Sequence, residues 1–205
     1  MKTPTVILPL FALSCPIALA STDSADTDFL VANSSPAFAV SAEAFYGFDM
    51  SDNDVDISGV TFRGFITRSN GDNSRLYSGL FASVRIGTGE DDAGDIDIDA
   101  VICFLSLGAD FRLEINNTFS AFARVELGAY TVWCDYGSYG DDWSGGAEYG
   151  AGVGLQISPS KNHTIIVAVD YIRAANNPEF DVAGYKIKAD EPEYITLSVG
   201  YKFSF

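Results

Sequence analysis

The stretch Glu193-Tyr194-Ile195-Thr196-Leu197-Ser198-Val199-Gly200-Tyr201-Lys202-Phe203-Ser204-Phe205 decides the fold. Its odd positions from Ile195 to Phe205 are all large and apolar, and Thr196, Ser198, Gly200, Lys202 and Ser204 take the even ones. Side chains alternate across a strand with a period of two, so the segment divides a greasy medium from a polar one. At the edge of an open sheet such a strand would be an aggregation hazard. In a closed barrel within a membrane the edge disappears and the apolar face meets lipid.

The same alternation recurs upstream. Strands are expected at about 38–49, 55–68, 75–87, 98–113, 118–133, 147–157 and 163–174, with the closing strand as the eighth. Val55 and Ile57 break the parity of the second strand, and a bulge near Ser58-Gly59 is expected to restore it. Short gaps at 69–74, 114–117 and 159–162 alternate with longer ones at 88–97, 135–146 and 176–192, the short 51–54 belonging to the long set. This is the layout of an all-β, eight-stranded antiparallel up-and-down transmembrane β-barrel.

The front of the chain is different in kind. Lys2, an apolar run over 6–20 and Ala18-Leu19-Ala20 read as a secretory signal peptide at 1–20, cleaved near Ala20. Pro9 and Pro16 break that run, which is also too short for a membrane helix. Residues 21–37 are polar and acidic without a period, a flexible periplasmic lead-in to a barrel over 38–205. Loss of Lys2 leaves 28 acids against 11 bases, a charge of −17 that argues against a nucleic-acid partner. Cys103 and Cys134 fall on neighbouring strands well out of register, which argues against a disulfide.

Charge partitions by face. Glu43, Asp110, Glu126, Glu148 and Asp170 share the inward face with Arg63, Arg85, Arg112, Arg124 and Lys202. None stands at a lipid-facing mid-strand position, where a base costs roughly 2–4 kcal/mol. An eight-stranded interior is only wide enough for side chains to fill, so these ten should pair into a network centred on Glu43, Arg63, Arg124, Glu126 and Asp170. Gly150, Gly152 and Gly154 should leave room for Phe122 and Tyr130. The expected interior is plugged.

Three segments carry a closer likeness. Leu107-Gly108-Ala109-Asp110-Phe111-Arg112-Leu113, Ser120-Ala121-Phe122-Ala123-Arg124-Val125-Glu126 and the closing Val199-Gly200-Tyr201-Lys202-Phe203-Ser204-Phe205 resemble the small eight-stranded outer-membrane barrels. The chain is similar to the outer membrane protein A transmembrane domain and the opacity-protein relatives. The resemblance implies the outer membrane of a Gram-negative cell, contact with its lipid, and a monomer. It also implies that Tyr201, Phe203 and Phe205 resemble the C-terminal signal read by the barrel-insertion machinery.

Function is read from what remains. The long-gap loops carry −13 of the charge, which suits a hydrated external surface. Glu90, Asp91, Asp92, Asp95, Asp97 and Asp99 offer carboxylate oxygens for weak Ca²⁺ or Mg²⁺ association, without the glycine and distal glutamate of an EF-hand loop. Tyr136, Tyr139 and Trp143 are candidate contact residues for a host or cell-surface ligand. An enzyme needs a base beside a nucleophile or acid, and the one histidine, His163, has no acidic neighbour in sequence. A soluble lipocalin-like carrier needs the reverse partition of grease and charge. The expected role is therefore structural and surface-contact, adhesin-like, without catalysis or cofactor. The alternative is a narrow gated channel for small solutes.

Overall fold

The computed structural model describes residues 37–51, 55–70, 75–93 and 96–205, with side chains described throughout except at 91–93 and 96–97. These residues lie within the unit Ala32–Phe205. The expected signal peptide, and the lead-in as far as residue 36, fall outside them.

Among the described residues, ten strands and one short helix follow in order. They are β1 (Ala37–Asp49), β2 (Ile57–Ser69), β3 (Leu76–Ala93), β4 (Ile96–Glu114), β5 (Phe119–Asp135), a 3₁₀ turn at Gly137–Tyr139, β6 (Asp141–Ile157), β7 (His163–Ala174), β8 (Glu179–Val182), β9 (Tyr185–Lys188) and β10 (Glu193–Ser204). Eight of them close a barrel in the order β1-β10-β7-β6-β5-β4-β3-β2, all antiparallel. The closing seam runs from Ala39↔Ser204 to Asp49↔Tyr194, so the last strand covers the edge of the first. β8 and β9 form a separate hairpin between β7 and β10. Its two-residue turn places Ala183 at φ 52° and Gly184 at φ 84°, the twist that tight hairpins require.

The wall follows the alternation strand by strand. In β5, Phe122, Arg124, Glu126 and Tyr130 are buried while Val125 and Leu127 are exposed on the outside. Leu107 and Leu127 face one another in register and are among the most exposed leucines of the outer surface. Tyr46, Phe48, Phe111, Phe119 and Phe205 also stand outward, toward the two rims. No helix among the described residues is long and apolar enough to cross a membrane. The outward face is a continuous hydrocarbon-compatible surface, and the backbone groups behind it are paired around the ring.

Three differences from the expectation have physical causes. β2 pairs with β1 without interruption from Gly47↔Ile57 to Ala37↔Thr67, so there is no bulge at Ser58-Gly59. Ile57 points inward because the interior at that level is apolar. The long gaps at 88–97 and 135–146 are mostly strand: β3–β4 ladders out to Ala93↔Ile96, and β5–β6 to Asp135↔Asp141. The 176–192 gap holds the β8–β9 hairpin.

A base inserted into the outer belt should be expelled by lipid. Leu127→Arg should destabilise the folded barrel in bilayers by roughly 2–4 kcal/mol, read from urea titrations of vesicle-embedded protein. Leu127→Ala should cost far less.

Candidate functional site

The interior has two tiers. The loop-end tier is apolar: Phe45, Ile57, Ile102, Phe104, Tyr130 and Ile172 pack from five strands. Phe180 and Val182 of the hairpin, with Tyr136, cover it. The two outlying loops are thereby tied to the barrel core. Tyr136, expected at the contact surface, is only 8% exposed, and its ring meets Phe180 edge-on at 6.1 Å. Tyr139 and Trp143 do stand outside, Trp143 at 70% exposure.

Below it lies a charged ring. Arg124 grips Asp170 bidentately, Nε to Oδ1 at 2.6 Å and Nη2 to Oδ2 at 2.5 Å. The same Nη2 is 3.4 Å from Glu43 Oε2, which Arg63 Nη1 meets at 2.6 Å. Arg85 Nη2 reaches Glu126 Oε1 at 3.2 Å and Asp170 Oδ2 at 3.9 Å. Three acids and three bases from five strands thus share one closed set, with side chains 0–3% exposed. Ser41 and Ser198 donate to Glu43, and Thr61 accepts from Arg85 Nε. The Arg85 guanidinium lies 5.7 Å from the Phe45 ring and 5.8 Å from the Phe104 ring, joining ring and apolar tier by cation–π contact.

Glycine makes the space. A Cβ on Gly152 would fall on Asp170 Oδ1, and one on Gly154 would meet the Phe122 ring. Tyr130 does not use these glycines. It opposes Gly146, and its hydroxyl donates to the Asn176 carbonyl at 2.9 Å.

The expected ten-charge network is therefore six, and Arg85 belongs at its centre. Glu148 sits apart, accepting from Ser106 Oγ at 2.5 Å. Arg112 stacks on Tyr77 at 4.3 Å and reaches Glu114 at 3.7 Å. Asp110 and Lys202 are buried without an ion pair within 4.0 Å among the described residues, and Lys202 Nζ lies 4.3 Å from the Phe65 ring. Facing alone does not decide which charges meet: Asp110 opposes Arg124 in register, yet makes no ion pair with it within 4.0 Å.

Of the acidic candidates, Glu90 opposes Asp99 across the β3–β4 ladder. The side chains of Asp91, Asp92, Asp95 and Asp97 lie outside the described residues, among which no cluster of three metal-ligating groups occurs. Tyr201, Phe203 and Phe205 lie on the outward face at the turn-end rim, and His163 hydrogen-bonds the Tyr201 hydroxyl. Asn116 Oδ1 accepts from the amides of Thr118 and Phe119, closing the β4–β5 turn. Cys103 pairs with Thr131, three residues from Cys134, and both thiols are free.

The loop surface is held by polar ties as well. The Asp181 amide donates to Asp142 Oδ2 at 2.6 Å, and the Glu179 amide to Ser144 Oγ at 3.1 Å, fastening the hairpin to β6. The amides of Asp181 and Trp143 hold the Asp142 carboxyl below the usual aspartate range.

Arg124→Met, which leaves Asp170 and Glu43 with less compensation, should destabilise the folded barrel by roughly 3–5 kcal/mol; adding Asp170→Leu should recover much of the loss, as measured in a double-mutant cycle. For Asp142, the depressed folded pKa stabilises the tether fully above the unfolded aspartate value. That contribution is lost as pH falls through the folded value. The protection of the Asp181 amide, its exchange taken relative to the intrinsic rate at each pH, should therefore fall on acidification through and below the aspartate range, and should not do so in Asp142→Asn.

No family model and no curated protein matches the chain. Solved structures do. Neisserial surface protein A superposes with a TM-score of 0.55 at 15% identity, covering 82% of this chain and 97% of that one. Ail, the attachment invasion locus protein of Yersinia pestis, gives 0.53 at 14% identity, covering 83% and 97%; it has also been solved with the heparin analogue sucrose octasulfate. A major outer membrane protein of Thermus thermophilus gives 0.51 at 13% identity, covering 82% and 99%. The chain shares the fold of the small eight-stranded outer-membrane barrels.

Proposed function

We propose that this chain is a monomeric outer-membrane barrel of a Gram-negative cell whose filled interior anchors a rigid acidic surface for contact with another surface. The leader at 1–20 directs export with cleavage near Ala20, and the barrel-insertion machinery reads the strand ending in Tyr201, Phe203 and Phe205. The observation that carries the reading is the architecture of the loop end. Strands run on into the loops, a hairpin is fastened across β6, and Trp143, Tyr139 and Tyr185 stay exposed on that frame. Ordered aromatic side chains at low entropic cost are the usual anchors of a binding surface.

The charge of that surface narrows the partner. Ail was solved with a polyanion, but loops carrying −13 repel one. A basic or uncharged host or cell-surface ligand suits this chain, with weak Ca²⁺ or Mg²⁺ association at Glu90 and Asp99 as a modest adjunct. No catalysis is assigned: His163 is engaged with Tyr201 and Phe203 on the lipid-facing rim.

The contact role is tested by attachment. Cells displaying Tyr139→Ser/Trp143→Ser/Tyr185→Ser should bind host or polylysine-coated surfaces at least about tenfold less than cells displaying the parent; equal attachment at equal surface display refutes it. The filled interior is tested by planar-bilayer recording. Purified protein should give no steady conductance, and large sustained openings would favour the narrow-channel alternative.

A further inference from the structure

The opposite, turn-facing end of the barrel holds a cavity of about 500 Å³ that the loop surface does not touch. Lys202 from β10, Arg112 from β4 and Lys161 from the β6–β7 turn line it, with Tyr77 and Thr67. We propose that this vestibule binds a phosphate group.

The argument starts from Lys202. It is 3% exposed, and among the described residues its ammonium makes no hydrogen bond and no ion pair within 4.0 Å; it lies 4.3 Å from the Phe65 ring, with Asp110 as the acid that attracts it. The residue lines the cavity, and an ammonium brings three donors to satisfy there. Arg112 repeats the pattern. Its guanidinium plane is fixed on Tyr77, Glu114 is 3.7 Å from one Nη, and the buried Nε has no partner among the described residues. Two held cationic side chains with unused donors thus border one cavity.

Charge around the mouth has the right sign. Arg112, Lys161 and Lys202 line the cavity, and Arg68 and Arg75 stand elsewhere at the turn end, against Asp110 and Glu114 among the described acids. The loop end of the same molecule is strongly acidic. Asp110 is buried nearby and offsets one charge, leaving the vestibule cationic. A phosphate offers several acceptor oxygens in a tetrahedron, which matches donors arriving from three different elements better than a planar carboxylate does. The mouth lies at the rim, so a free phosphate or the phosphate of a lipid headgroup has access. The chemistry recognised is the same for both.

The test uses the full chain in nanodiscs. With phosphatidylcholine discs, inorganic phosphate is titrated by calorimetry and by the side-chain ¹⁵N shift of Lys202. Saturable binding that falls at least about tenfold in Arg112→Gln and Lys202→Met, each losing a charge-assisted bond, supports a free-phosphate site. A Lys202 shift seen only on exchange to phosphatidylglycerol discs, and abolished in Arg112→Gln, supports a headgroup site. Lys161→Gln, an exposed substitution that leaves the interior intact, should weaken either response. Lys186→Gln on the far hairpin should not change it. The absence of both responses, or responses unchanged in all three vestibule variants, overturns the proposal.

Discussion

The bidentate contact between Arg124 and Asp170 is the constraint on which the rest of the molecule turns. Both groups are removed from water, and a low-dielectric interior tolerates a charge only when its partner is fixed beside it. Fixing this pair fixes β5 against β7 across the barrel interior, with β6 between them reduced to Gly150, Gly152 and Gly154 on its inner face. Glu43 and Arg63 then bring in β1 and β2, and Arg85 brings in β3. A one-residue slip in any of these strands would turn its ion into lipid and its apolar side chains into the ring. Register, closure and the greasy outer face are consequences of one balanced set of six charges.

The ring also explains why the two ends of the barrel differ. Toward the loops the interior changes from ionic to apolar, and Arg85 spans the change through Phe45 and Phe104. An apolar tier gives the β8–β9 hairpin something to bury, so Phe180 and Val182 dock and the loops become a frame instead of solvated coil. Toward the turns the ring gives way to Lys202 and Arg112 around open volume. The exposed aromatic frame proposed for contact lies at one end and the cationic vestibule at the other, with the charged ring between them.

How much of this can be read from the residues alone follows from which interactions are local. Alternation is local, so the strand set, the closed wall and the inward placement of all ten charges are legible from parity. Side-chain pairing is not. Nothing in the sequence separation of Glu148 and Arg85, or of Lys202 and Asp110, says whether they meet, and the ten-member network reduces to six for that reason. The apolar tier leaves a signal in the run Val101-Ile102-Cys103-Phe104-Leu105, where both parities are apolar. A barrel strand apolar on both faces has lipid on one side and an apolar interior on the other. Ile57 obeys the same logic, and reading it as inward removes the need for a bulge. The burial of Tyr136 depends on Phe180, forty-four residues away, so no local pattern separates it from the exposed Tyr139 and Trp143.

The most direct test is a nitroxide scan of β5 in bilayers at residues 123 through 128, with each label's collision rates measured against oxygen in the lipid and a nickel chelate in water. Labels at Ala123, Val125 and Leu127 should meet oxygen, and labels at Arg124, Glu126 and Gly128 should meet neither reagent. Nickel reaching the 124 and 126 positions would make the middle of the barrel a water-filled passage, and oxygen reaching them would put the charged face in lipid; either result contradicts a sealed ionic interior.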